Sequence, residues 1–145
     1  MLTARTAFAA LLLTTVATGC DAWDAERIGP EGGVVVSEDG RMALEIPAGA
    51  LDEAVEITIE VTEGTEGSLA PIYVIEPVGL TFQYPTELVY DYDDELLGDE
   101  DPEALELVTM RELGWDYLPD RKLDTGDRTI SVSLMALSAV TVVVE

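Results

Sequence analysis

The sequence predicts an all-β fold, an antiparallel two-sheet β-sandwich of about nine or ten short strands that follows an N-terminal signal peptide. Apolar and polar residues alternate with period two in several windows, as in strands with one buried face. Glycine, proline and aspartate clusters separate these windows at short intervals. The chain has 145 residues, of which 48% are apolar. This composition supports one folded core and is too apolar for disorder, even at a formal charge of −23.

The predicted strands follow from this alternation. The clearest case is 55–62, in which Val55, Ile57, Ile59 and Val61 share one face. The last window, 140–144, is more uniformly apolar, which predicts a central strand. The other predicted strands are 34–37, 42–46, 71–76, 80–84, 87–92, 105–110, 112–118 and 129–134.

Only two segments have helical potential. One is a single turn over 48–54, directly after Pro47, and the other is 101–107, with Pro102 at its first position. Both are too short to form a helical layer, so the sandwich remains the prediction. Turn residues lie between the strands at 38–40, 47–49, 63–64, 66–67, 97–98 and 124–126.

Residues 1–19 have the features of a secretory signal peptide. Arg5 precedes an apolar run over 7–16, and small residues 17–19 end at Cys20. A membrane-spanning helix needs about 20 apolar residues, and Asp21 and Asp24 end the run too early. We therefore predict that residues 1–19 are removed during export.

The sole cysteine stands where this signal ends. Ala17-Thr18-Gly19-Cys20 resembles a bacterial lipobox, although the family prefers leucine where this chain has Ala17. The resemblance implies diacylglycerol and acyl (palmitate-type) lipid on Cys20, and attachment to a membrane of the bacterial cell envelope, inner or outer. The alternative is ordinary signal cleavage that leaves a free thiol, which is a liability in an oxidising compartment. The predicted organisation is a lipid-anchored tether over 20–31 and a domain over 32–145.

The charge and the missing residue types exclude several functions. Export would remove one of seven basic residues and none of the 30 acidic ones, leaving a side-chain charge of −24. Nucleic-acid binding needs a basic surface, so it is excluded as a default. The chain has no histidine, the commonest general base and metal ligand. We therefore predict no enzymatic activity and no cofactor apart from the covalent lipid.

Three groups of residues together carry a family resemblance: 32–35 with Gly40, 44–51 and 57–59; 77–82 and 84–88; and 137–140. They resemble the ZU-five domain, which is named for zonula occludens proteins and netrin receptors and also occurs in bacterial lipoproteins. The likeness covers roughly residues 29–145, and the family fold is a β-sandwich. The turn and core chemistry of these residue types predicts structural roles for Pro47, Gly49, Leu51, Gly79 and Phe82.

Some ZU-five relatives cleave themselves at a His-Phe-Ser triplet, using the histidine as the base. The matching residues here are Ala136, Leu137 and Ser138. The nucleophile is kept but the base is replaced by Ala136, and losing general-base assistance costs typically 10²–10⁴-fold in rate. The resemblance therefore implies an inactive relic, with the Ser138 hydroxyl bonded locally.

Two further features leave the function open. The acidic run that contains Asp91, Asp93 and Asp94 is either a solvated loop or a weak Ca²⁺ site, and it lacks the spacing of an EF-hand. Trp115 and Tyr117 are candidates for sugar binding, but their alternate spacing is more typical of core residues. The sequence predicts a non-catalytic, membrane-anchored interaction or scaffold domain with an unidentified envelope partner. The alternative is a divalent-cation-responsive adhesion or carbohydrate-binding module.

Overall fold

The structure, a computed structural model, describes residues 26–145. The predicted signal peptide, Cys20 and the first part of the tether lie outside the described residues. Within the described range, none of the helices has the length and hydrophobicity needed to cross a membrane.

The domain consists of two antiparallel sheets, and the prediction of an all-β two-sheet fold is confirmed. The six-stranded sheet has the order β1-β4-β5-β11-β7-β8, and the five-stranded sheet has the order β2-β3-β6-β10-β9. The strands are β1 (Glu26–Ile28), β2 (Gly33–Val36), β3 (Met42–Ile46), β4 (Val55–Thr62), β5 (Ile72–Glu76), β6 (Thr81–Asp91), β7 (Leu105–Arg111), β8 (Gly114–Tyr117), β9 (Lys122–Asp124), β10 (Thr129–Ala136) and β11 (Ala139–Val144).

The core lies between the two sheets and is formed by the apolar faces that period two predicts. In β10, Ile130, Val132 and Leu134 are buried and alternate with less buried residues. Tyr73 of the six-stranded sheet meets Tyr90 of the five-stranded sheet edge to face, with ring centroids 5.9 Å apart. β11 lies between β5 and β7, which confirms its predicted central position.

The residues shared with the ZU-five pattern take structural positions. Gly49 and Gly79 both have positive φ, 86° and 90°, a conformation that glycine adopts without steric cost. Leu51 and Phe82 are buried in the core. The expected turn and core roles of these four residues are therefore confirmed.

Some predicted elements were wrong. Residues 48–54 form turns and bends instead of a helix, and 101–107 form a short 3₁₀ turn (Pro102–Ala104) that leads into β7. The two predicted strands 80–84 and 87–92 are one strand, β6. A one-turn helix, α1 (Asp94–Leu97), lies within the acidic run, where none was predicted.

The domain boundary also differs from the prediction. β1 pairs with Val55–Ile57 of β4, and Ile28 is buried in the core. Residues 26–31 are therefore part of the domain and not of a tether. A three-residue strand is too short to show an alternating pattern, which is why the sequence did not indicate it.

Candidate functional site

A groove with a volume of about 870 Å³ lies between the two sheets at the β8 edge. One wall is the β7–β8 hairpin, and the other is the end of β10 with the turn into β11. β9 covers only residues 129–131 of β10, and beyond it the Ser133 N–H donates to the Pro119 carbonyl at 2.9 Å. The residues that line the groove are Val78, Gly79, Thr109–Leu113, Asp116, Leu118, Pro119 and Ser133–Ser138.

The rim of the groove is unusually apolar for a surface. Val78, Met110, Leu113 and Met135 are four of the eight large apolar side chains exposed among the described residues. Leu113, at the tip of the hairpin, is fully exposed. Exposed apolar side chains that cluster in this way mark interaction sites more often than single exposed residues do.

The base of the groove combines buried apolar residues with a surface ion pair. Leu118, Leu134 and Leu137 are buried beneath it. Arg111 Nε lies 3.1 Å from Asp116 Oδ2, and both side chains are largely exposed. The groove can therefore hold apolar side chains and has an ion pair at its edge.

The strand next to the groove has an open edge. β8 pairs with β7 and has no other strand neighbour among the described residues. The Leu118 N–H donates to the Leu107 carbonyl at 2.9 Å, so in an antiparallel ladder the main-chain groups of Asp116 also face β7. Those of Trp115 and Tyr117 therefore point away from the sheet.

The predicted relic triplet lies in the wall of the groove. Ala136 ends β10, Leu137 is buried, and Ser138 precedes β11. The Ser138 hydroxyl is hydrogen bonded to the Thr109 hydroxyl and donates to the Ala139 carbonyl at 3.2 Å. This local bonding of the hydroxyl agrees with the expectation from the sequence.

We expect the protein to remain uncleaved at Ser138, because no histidine is present to remove the hydroxyl proton. After several days at neutral pH, the purified protein should give one band on a denaturing gel and one intact mass. The matched control is Ala136→His, which restores the missing base. A wild-type fragment that begins at Ser138 would contradict the prediction.

Trp115 and Tyr117 lie on the outer face of the six-stranded sheet, so their expected position in the core was wrong. They share that face because they lie two residues apart in β8, and the alternate residue Leu118 is buried in the core. Trp115 is half-buried and Tyr117 is 59% exposed. Together with the loop 65–68 they line a cleft of about 260 Å³.

The acidic run does not form a metal-binding cluster. Asp93 caps α1 by accepting from the Leu96 N–H at 2.7 Å, and it accepts from Arg41 Nη2 at 2.5 Å. These two donors lower the pKa of Asp93. Asp94 pairs with Arg128 at 3.2 Å, and Asp91 is exposed at the end of β6. Over residues 26–145, no three carboxylates are placed to share a metal ion.

A second polar cluster, which no sequence pattern indicates, lies around Asp39. The Tyr73 hydroxyl donates to Asp39 Oδ2 at 2.6 Å, and the Ser37 hydroxyl donates to Oδ1 at 2.5 Å. Burial raises the pKa of Asp39, but these donors and the Arg41 main chain outweigh it, and the pKa is lowered. Burial, followed by the bond to Asp39, raises the pKa of Tyr73. The sequence showed Asp39 only as a turn residue, with no signal of its distant partner.

The two tyrosines should respond differently to removal of the hydroxyl. Tyr73→Phe should cost about 1–3 kcal/mol in unfolding free energy, because it deletes a bond to a carboxylate. Tyr90→Phe, its matched control, should be neutral or stabilising, because the buried Tyr90 hydroxyl has no partner among the described residues. Urea unfolding of both variants at pH 7 measures these differences.

The cost of Tyr73→Phe should also depend on pH. Because folding lowers the pKa of Asp39, its contribution is present above the ordinary carboxyl pKa of 3.8. It is lost as the pH falls through the folded value. The difference between wild type and Tyr73→Phe should therefore narrow below about pH 4. An equal cost for both variants at pH 7 would contradict the assigned hydrogen bond.

Comparison with known proteins gives no assignment for the chain: no family model matches it, and a search of curated proteins finds no match.

Proposed function

We propose that the protein is a non-catalytic bacterial envelope lipoprotein, anchored through Cys20, whose β-sandwich binds another protein. The observation that carries this proposal is the groove with its apolar rim of Val78, Met110, Leu113 and Met135. A rim of this kind favours a protein ligand over a small polar molecule, because water is released when apolar side chains cover it. The scaffold role follows from a binding surface held on a membrane.

The position of the groove supports this role. β1 is the first strand of the described residues, and β1 and β8 are the two edge strands of the six-stranded sheet. Five strand spacings separate them, which is about 24 Å. A lipid on Cys20, a few residues before β1, would hold the opposite edge near the membrane. The groove would then be accessible to a partner in the envelope.

A ZU-five-like identity is part of the proposal. It rests on the segments within residues 29–145 that resemble this domain, and it is compatible with the two-sheet fold. The non-catalytic assignment rests on the absence of histidine from the chain and on the local bonding of Ser138.

The test is a quantitative crosslinking experiment in the native envelope. Leu113→Asp places a charge on the apolar rim, and Val34→Asp is the matched control because Val34 is also exposed, at 46%, on a different strand. We expect Leu113→Asp to reduce the crosslinked partner at least about tenfold and Val34→Asp to retain it. Equal crosslinking by both variants would place the interaction elsewhere on the domain.

The second candidate function, a carbohydrate-binding or divalent-responsive adhesion module, is favoured by Trp115 and Tyr117. Their aromatic rings lie on an outer face beside Thr65, Glu66 and Ser68, and aromatic faces combine an apolar surface with a polar edge. A glycan array with and without Ca²⁺ tests this function. Tyr117→Ala should abolish binding, whereas Tyr84→Ala, at a similarly exposed tyrosine (56%), should not.

A further inference from the structure

We propose that the partner contributes an extended, basic segment that adds to β8 as a further strand of the six-stranded sheet. This inference rests on the proposed function, and it specifies how the partner is held and what chemistry the segment has. Strand addition uses main-chain hydrogen bonds for affinity and alternate side chains for specificity.

The main-chain part of the site is the open edge of β8. The ladder geometry directs the N–H and C=O groups of Trp115 and Tyr117 away from β7. No main-chain or side-chain partner within residues 26–145 covers these four groups. They provide the hydrogen-bonding positions that an added strand requires.

The side-chain part of the site is the groove. Asp116 and Leu118 alternate with Trp115 and Tyr117 and point to the inner side, where both line the groove. An added strand would direct every second side chain to this side, against Leu118 and Met135. Its other side chains would lie beside Trp115 and Tyr117 on the outer face. The groove therefore favours apolar residues at alternate positions of the segment.

The charge of the domain predicts which residue type occupies the other positions of the added segment. Residues 26–145 contain 28 of the 30 acidic residues and six basic ones. All five arginines in this range already have a carboxylate partner. A second copy of this chain would bring two strongly acidic surfaces together, whereas a basic segment would be attracted to the surface.

The test uses a short synthetic peptide that alternates lysine with isoleucine, with its affinity for the whole protein measured at about 0.15 M NaCl. Successive residues of a strand direct their N–H groups to opposite edges. N-methylation removes the amide hydrogen and so prevents it from being donated. We therefore compare two isomers of the peptide, one N-methylated at the lysine amides and the other at the isoleucine amides. Strand addition predicts that one isomer loses affinity about tenfold or more and that the other does not.

Two controls examine the charge and the protein edge. A peptide that alternates glutamate with isoleucine should bind at least about tenfold more weakly. Tyr117→Pro removes one outward N–H of β8 and should weaken the lysine peptide about as much as the blocked isomer does. Tyr117→Ala also removes the ring but keeps this N–H, so it should weaken the binding of the lysine peptide less than Tyr117→Pro does. The peptide isomers test the same edge without any change to the protein.

The outcomes separate the two proposals. Equal affinity of both N-methylated isomers would overturn strand addition. If Leu113→Asp still weakened peptide binding in that case, the groove would remain a protein-binding surface. Peptide binding that Leu113→Asp does not affect would overturn the groove as the site. Equal binding of the glutamate peptide would overturn the requirement for basic residues. A stable homodimer with β8 at its interface would overturn the basic partner segment, because the added strand would then come from a second copy of this chain.

Discussion

Replacing Cys20 by alanine is expected to move the protein from the detergent phase to the aqueous phase in a Triton X-114 partition. Each methylene that an acyl chain buries in a bilayer contributes about 0.8 kcal/mol, so two or three chains make the attachment effectively permanent. Without the thiol, the chain should appear as unprocessed precursor or as released protein.

Cys20→Ser is the matched control for this experiment, because it keeps a side chain of similar size but cannot form the thioether. It should behave as Cys20→Ala does. Intact-mass analysis of the wild type should show a mature chain that begins at Cys20 with added lipid. A mature chain with an unmodified thiol would contradict the lipoprotein assignment and favour ordinary signal cleavage.

The second large effect is expected from salt. The domain has far more acidic than basic residues, and its unscreened self-repulsion opposes the compact state. Added NaCl screens this repulsion. We expect the melting temperature to rise through about 0.5 M NaCl, by about 3–6 °C for each kcal/mol that is recovered.

Charge-neutral variants provide the control for the salt prediction. Asp99→Asn with Glu100→Gln removes two exposed charges and should reduce the salt dependence. At matched ionic strength, CaCl₂ and NaCl should raise the melting temperature equally. The two salts should also have equal effects on the Asp93→Asn variant. A further Ca²⁺-specific gain would favour the adhesion alternative, and a melting temperature that falls with NaCl would contradict the self-repulsion argument.

The two-sheet fold could be predicted because its strands are amphipathic. In 55–62, the residues predicted to share one face include Ile57 and Ile59, and both are buried. Elements without this periodicity were missed, because β1 and β9 have three residues each. The 48–54 segment was overpredicted as helical because Pro47 fits a helix start as well as it fits a turn.

The candidate site could be predicted only in part. Period two places Trp115 and Tyr117 on the same face, but it does not distinguish the face that packs on the core from the face that meets solvent. The groove forms because the β7–β8 hairpin lies beside the end of β10. The sequence shows no signal of this arrangement, or of the end of the β9 pairing before Ser133. The bond from Tyr73 to Asp39 joins residues 34 positions apart, a distance that local patterns cannot report.

The proposed binding site for the partner is the open β8 edge over the groove. Amide hydrogen exchange at Trp115 and Tyr117 tests this site, with the free protein compared to the protein saturated with the lysine–isoleucine peptide. We expect fast exchange in the free protein and at least about tenfold slower exchange in the complex, while the edge amides of β9 do not change. Slow exchange at both residues in the free protein, or no slowing when the peptide is bound, would show that the β8 edge does not bind the segment.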